Sequence, residues 1–152
     1  MKYLIKKIKP NNISKSYIDT INHAYTKRFI KFSKVGKYKK NKQDLINYIK
    51  NLSKNEILYG VFKNKVHQAN FKLIAKKNSI SIGFLVFLKF QGKGIFKEVF
   101  PKILKLKIFQ SKKYKNLLLG VNKKNKLAIK LYKKLGFNYK KNSIKVMFLK
   151  LY

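Results

Sequence analysis

Apolar and polar positions along this chain change period from segment to segment. Tyr3–Ile8 mixes apolar residues with lysines and stops at Pro10-Asn11-Asn12, which predicts a first strand and a turn. Ser14–Asn22 carries Tyr17, Ile18 and Ile21 on one face at helical spacing, which predicts a short helix. His23–Tyr38 mixes aromatics and lysines with only weak patterning and reads as a mobile loop with a helical turn. Asn41 stands where it can cap a second helix running to Ser53, with Leu45, Ile46, Ile49 and Leu52 as the buried stripe.

Four strand-like segments follow: Ile57–Phe62, Val66–Ala75, Ser79–Leu88 and Lys115–Val121. Turn signals at Lys63-Asn64-Lys65 and Lys76-Lys77-Asn78 separate the first three. The second half of Ser79–Leu88 is continuously apolar, as expected of a central strand covered on both faces. Between the last two lies a predicted helix from about Gly94 to Phe109, kinked by Pro101, which lacks the N–H that would bond to Lys97. Asn125–Leu135 predicts a third helix with Leu127, Ala128, Leu131, Tyr132 and Leu135 on one face and Gly136 as its left-handed cap. Ser143–Tyr152 closes the chain as a strand. This alternation of element types predicts an α/β or α+β fold. At 152 residues, with no linker-like stretch and no internal repeat, a single domain over 1–152 is expected.

Composition removes several chemistries. The chain has no cysteine, which excludes disulfides, thiolate nucleophiles and Cys-ligated metals. His23 and His67 are its only histidines, so no metal site is expected. The longest apolar stretch, Ile82 to Leu88, is far short of the ~20 residues of a membrane span. The N-terminus interleaves lysine with apolar residues and lacks the apolar core of a signal peptide, so a cytoplasmic protein is expected.

Charge changes the picture more. There are 39 basic residues against four acidic ones, a formal net charge of +35. Asp19, Asp44, Glu56 and Glu98 are the acids, and Arg28 is the single arginine. A nucleic-acid binder would have this sign. The lysines, however, spread through every segment, and asparagine, isoleucine, phenylalanine and tyrosine are abundant too, which points to a compositional bias of the coding DNA. Under either reading the field draws phosphates, coenzymes and RNA non-specifically at low salt.

Two segments carry chemistry. Ile82–Lys97 runs from an apolar strand through Gln91-Gly92-Lys93-Gly94 into a helix start. Such a turn aims backbone N–H groups and a helix N-terminus at one point, the geometry of a pyrophosphate site. By itself it reads equally well as a plain strand-to-helix connection. Some thirty residues on stands Asn125-x-x-Ala128-x-x-Leu131-Tyr132-x-x-x-Gly136-Phe137.

Taken together, Gln91-Gly92-Lys93-Gly94 after an apolar strand and Asn125 to Phe137 resemble the coenzyme A site of the GCN5-related N-acetyltransferase (GNAT) superfamily. The likeness covers roughly residues 82–137. The N-terminal part is similar to the branch that acetylates ribosomal-protein N-termini or amino-sugar nucleotides: Ile13-Ser14-x-x-Tyr17-x-x-x-Ile21-Asn22 resembles its opening helix, and Val66–Leu73 resembles its "hIGNIKL" strand, with Ala69 in place of glycine. The resemblance implies a GNAT-like domain: a mixed, mostly antiparallel sheet of six to seven strands, splayed at the coenzyme site, with about four helices on its faces. It implies acetyl-CoA as cosubstrate and no metal. Leu85 and Val86 would lend main-chain groups to the pantetheine arm. Gln91, Gly92, Lys93, Gly94, Ile95 and Phe96 would wrap the pyrophosphate, although Phe96 stands where the superfamily has a small residue. Asn125 would bond the pantetheine or acetyl region, and Tyr132 would protonate the leaving thiolate. His23, after the first helix, is the candidate general base, with Glu56 the other group able to act through water.

The activity this implies is transfer of acetyl to a primary amine. With four carboxylates in the chain, a polyamine or aminoglycoside would find little countercharge, so the expected acceptor is phosphate-bearing, an amino-sugar nucleotide first and a ribosomal-protein N-terminus second. The competing class is a non-enzymatic basic module that binds RNA or the ribosome. Whether the protein is a monomer or homodimer is left open. Taken singly, Tyr132 reads as a core aromatic, Asn125 as a helix cap, His67 as an exposed histidine at a strand start, and Glu98 as a residue facing solvent or a lysine.

Overall fold

A computed structural model of the chain describes residues 2–24, 26, 40–141, 143 and 145–152. Most of the weakly patterned stretch His23–Tyr38, with Arg28, lies outside the described residues. The strands are β1 (Leu4–Lys7), β2 (Glu56–Lys63), β3 (Val66–Ala75), β4 (Ser79–Val86), β5 (Asn116–Gly120), β6 (Asn138–Tyr139) and β7 (Val146–Lys150). They form one sheet in the order β1-β2-β3-β4-β5-β7-β6. Each neighbouring pair is antiparallel except β4 and β5.

The helices are α1 (Lys15–Asn22), α2 (Lys42–Lys50), α3 (Ile95–Leu104), α4 (Lys107–Gln110) and α5 (Lys126–Lys134). Capping explains where the first two start. Ser14 accepts from the Tyr17 N–H at 3.2 Å, and Asn41 exchanges bonds of 2.9 Å with Asp44 in a capping box. The α5 C-terminus is a Schellman motif: Phe137 N–H bonds the Tyr132 carbonyl at 3.0 Å, Gly136 N–H bonds Lys133, and Gly136 takes φ +90°.

Two apolar cores lie against the sheet. One joins Val61, Phe71, Leu73, Ile80, Ile82, Leu117 and Met147 to the buried faces of α3 and α4, with α5 packed on it through Ala128, Leu131, Tyr132 and Leu135. The other joins Ile8, Leu58 and Phe87 to α1 and α2 through Tyr17, Ile21, Leu45 and Ile49.

Three expectations change. The helix placed over Gly94–Phe109 is two helices, broken between Leu104 and Lys107. As expected, Pro101 lies inside the first of these, α3, and with Pro101 and Lys97 both exposed, water can satisfy the Lys97 carbonyl that proline leaves without a donor. The strand placed over Ser79–Leu88 ends at Val86, and Leu88–Phe90 forms a 3-10 turn. Leu127 is 84% exposed instead of packed, because the half-buried stripe that α5 turns to the core centres on Ala128, Leu131, Tyr132 and Leu135, and Leu127 falls outside it.

Candidate active site

The two halves of the sheet part company beside α3. β4 and β5 pair in parallel only over Ser79–Ile82 with Asn116–Leu119. β4 runs on to Val86, still paired to β3 from Ile80 to Val86, so its other edge is open from Gly83 onward. The side chain of Gln91 reaches back to donate to the Val86 carbonyl at 3.2 Å.

The turn that follows β4 is set by two glycines. Gly92 has φ +75° and Gly94 φ +69°, and a Cβ at either would meet nothing within 4 Å. The space above them is open, and left-handed backbone is the requirement glycine meets. Gly94 is the N-cap of α3, whose first N–H groups have no intrahelical partner. Phe96 turns the other way. It is 6% exposed and packs edge-on to Phe84 at 4.7 Å and to Tyr132 at 5.4 Å. Its bulk therefore sits in the core and leaves the turn clear. Lys93 lies with its ammonium 5.3 Å from the Phe90 ring.

These parts open on one cleft of about 680 Å³. Gly83–Val86, Gln91–Phe96, Leu119–Asn122, Asn125, Leu127, Ala128, Leu131 and Tyr132 line one end. Asn125 caps α5, its amide oxygen accepting from the Ala128 N–H at 3.1 Å. Tyr132 is held between Phe96 and Phe137. Burial raises its pKa, so it is a neutral phenol and a donor at neutral pH. Of the residues singled out from sequence, the cleft thus gathers Leu85, Val86, Gln91, Gly92, Lys93, Gly94, Ile95, Phe96, Asn125 and Tyr132. His23 is not in this set. It is exposed at the C-terminal end of α1, its N–H bonded to the Asp19 and Thr20 carbonyls.

The other end of the cleft uses residues that sequence reasoning did not assign to a site. Tyr17 from α1, Tyr48 from α2, Leu58 from β2, Asn70 and Lys72 from β3, and Thr26 line it. Burial above all holds the Tyr17 phenol well above its ordinary pKa. Lys72 bonds Glu56 at 3.1 Å and lies over the Tyr48 ring. Its burial favours the neutral amine, but Tyr48 and Glu56 more than offset that and keep it charged. Burial likewise pushes Glu56 up, but bonds from the Ser53 hydroxyl and N–H and from Lys72 outweigh this and hold it at about 2. Glu98 is exposed, as expected, while His67 is a correction: it is 7% exposed, stacked on Phe62 at 4.5 Å and edge-on to Phe87 at 4.7 Å. Among the described residues that line the cleft there is no carboxylate, and no group of three or more acidic or histidine residues could hold a metal.

Comparison with solved structures is decisive for the fold. A PaiA N-acetyltransferase from Thermoplasma acidophilum, solved with coenzyme A, superposes over 99% of both chains with a TM-score of 0.69 and 19% identity. The spermidine N-acetyltransferase of Vibrio cholerae, solved with CoA and spermine, matches 99% of this chain and 96% of its own, with a TM-score of 0.82 and 15% identity. A GNAT-family acetyltransferase from Streptococcus pneumoniae matches 98% of this chain and 99% of its own, with a TM-score of 0.69 and 14% identity. The chain has the GNAT fold. No protein-family model matches the sequence, and no curated protein sequence is significantly similar to it. The sheet has the expected mixed, mostly antiparallel form, with seven strands among the described residues. Among the described residues no helix is long and apolar enough to cross a membrane.

Proposed function

We propose that the protein is an acetyl-CoA-dependent N-acetyltransferase that acts on a primary amine. The observation that carries this reading is the convergence of three elements on one cleft: the open β4 edge at Gly83–Val86, the left-handed turn at Gly92 and Gly94 leading into α3, and Tyr132 on α5. The residues fit the coenzyme. The Leu85 and Val86 backbone is placed for an extended amide-bearing arm, and the N–H groups from Gln91 to Phe96 for a pyrophosphate, with open space above both glycines. When bound, acetyl-CoA supplies an acetyl group activated as a thioester.

The chain's own residues do the rest. Tyr132 keeps its proton at neutral pH and can give it to a departing thiolate. Asn125 would bond the acetyl end of the arm. The amine must lose a proton before it attacks. Lys93 adds positive charge to the cleft, the Lys72 charge being offset by Glu56, and positive potential disfavours an ammonium ion and lowers the amine's pKa. His23, outside the lining, would act as base only through water.

The acceptor we favour is a phosphate-bearing amine, with an amino-sugar nucleotide as first candidate. Support comes from the cleft, whose described lining has two lysines and no carboxylate, the nearby Glu56 being engaged by Lys72, so a polycation finds little countercharge there. The net charge of +35 supports a second reading, a basic RNA-binding module. One experiment separates them: calorimetric titration with acetyl-CoA at low and high salt, with ADP as control. Saturable one-to-one binding that survives high salt and exceeds ADP is expected. Binding that equals ADP and vanishes with salt would overturn the enzyme reading in favour of RNA.

A further inference from the structure

β3 carries an irregularity that changes which residues face the cleft. Ala69 pairs with Val61 of β2, but His67 pairs with Phe62, so Gln68 is an extra residue on β3. Residues three apart on a regular strand point to opposite faces. The bulge at Gln68 brings His67 and Asn70 to the same side, where the His67 Nε2 lies 2.7 Å from the Asn70 Oδ1.

The bond has a direction. Desolvation lowers the His67 pKa and favours the neutral ring, which has one N–H. The amide oxygen of Asn70 can only accept, so Nε2 carries that proton. Nδ1 then accepts from the Ser14 hydroxyl at 3.2 Å, and the Ser14 oxygen accepts from the Tyr17 N–H. The chain Ser14 to His67 to Asn70 thus fixes the amide with its oxygen turned to His67 and its nitrogen turned away.

That nitrogen points towards the Tyr17 phenol oxygen, on whose pKa it has a lowering effect, but makes no well-formed hydrogen bond. Asn70 is 3% exposed and lines the cleft, yet its Nδ2 makes no hydrogen bond. Thr26 Oγ1 shares this condition in the same cleft. Buried polar atoms are rarely left so unless ordered water or a ligand completes them, and an atom on a cleft wall is within reach of a ligand. The cleft around Asn70 also holds the Lys72 ammonium, a donor, and the Tyr17 phenol, whose oxygen can accept from the Asn70 amide and whose proton can be donated onward.

We propose that Asn70 determines acceptor specificity, its amide nitrogen donating a hydrogen bond to an oxygen (phosphate or hydroxyl) of the amine substrate, with His67 as the residue that positions it. This rests on the reading of the cleft as an acetyl-transfer site and names the chemistry at its acceptor end. A site built to bond a substrate oxygen rejects an analogue that lacks it. Spermine, which carries no oxygen, is therefore disfavoured.

The test uses the full chain and three probes: an amino-sugar nucleotide, glucosamine 6-phosphate and spermine. In an isotope-labelled protein, the side-chain amide signals of Asn70, identified by their loss in Asn70→Ala, should shift with the two sugar phosphates and stay put with spermine. In acetylation assays Asn70→Ala should raise KM for the phosphorylated acceptors roughly tenfold with kcat nearly unchanged. Asn70→Asp keeps the bond from His67 but faces the cleft with an oxygen, and should raise that KM roughly a hundredfold while narrowing the gap to spermine. His67→Phe should reproduce the Asn70→Ala effect, and His67→Gln, which retains a donor, should recover part of it. Unmoved Asn70 signals with every probe, or a KM unchanged in both Asn70 variants, would overturn the proposal. Acetyl-CoA calorimetry on the same samples reads the coenzyme end alone. Lost coenzyme binding with Asn70 signals that still shift would sink the transferase reading and leave the acceptor site standing.

Discussion

The two ends of the cleft are built in different ways. At the coenzyme end, main-chain geometry dominates: a strand edge without a partner, two left-handed glycines, and a helix start. At the acceptor end, side chains from α1, α2, β2 and β3 converge, and a bulge and a buried histidine set their aim. Backbone sites recognise groups common to many ligands, whereas side-chain sites can be retuned one residue at a time. The difference teaches where this protein's identity as a catalyst should reside. On the proposed reading, the coenzyme end would be common to many proteins of this fold, and the acceptor end would set what this one acts on.

Substitutions can break or sharpen this contrast. The largest effect is expected from Tyr132→Phe, which keeps the ring packed on Phe96 and Phe137 but removes the proton donor. Turnover should fall roughly 10²–10⁴-fold with acetyl-CoA affinity unchanged in calorimetry. Unaltered turnover would remove the phenol from the chemistry. Phe96→Ala should cost about 3–5 kcal/mol in denaturant unfolding, since the ring is buried between Phe84, Phe100 and Tyr132. A loss of coenzyme affinity without that loss of stability would mean the side chain, not only its backbone, serves the site. Gly94→Ala meets no steric obstacle, so its effect isolates the left-handed backbone: ~1–2 kcal/mol of strain, expected as roughly tenfold weaker coenzyme binding.

The smallest effect concerns Glu56, which is tied to the acceptor end through Lys72. Its folded pKa is held near 2, below the ordinary 4.5. A depressed carboxyl stabilises the fold fully above its unfolded pKa, and that contribution fades as pH falls from about 4.5 towards 2. Glu56→Gln should therefore lower thermal stability at neutral pH and flatten its decline across that acid window. An unchanged acid profile would mean that the bonds to Ser53 and Lys72 add nothing.

The same contrast explains what could be read from the sequence. The coenzyme end is local. Gln91–Gly94 and Asn125–Phe137 are short contiguous runs, so a family resemblance could be drawn from them although the glycine turn alone was ambiguous, and Gly136 marked the end of α5. The acceptor end comes from segments far apart in the chain, and each member also suits an ordinary packing role. Tyr17 was legible as a buried helix residue but not as a wall of the cleft. His67 read as exposed because it begins a strand beside a turn. Alternation would have set it on the face of Ala69, Phe71 and Leu73, and the bulge at Gln68 that turns it to the Asn70 side leaves no mark in composition. Leu127 failed for a simpler reason: an apolar residue one step off the stripe was counted with it, and the stripe is narrower than that.

The parted strands have a further consequence, for solubility. A sheet that opens in its middle carries an edge in its interior, and strand edges invite pairing with a second chain. Natural edges are commonly guarded by lysine. In a chain this rich in lysine, the stretch from Asn78 to Leu88 has none. Protection here comes from placement: the glycine turn on one side and α5 on the other confine the open edge to the floor of the cleft, where a slim extended molecule can lie and the strand of another copy cannot.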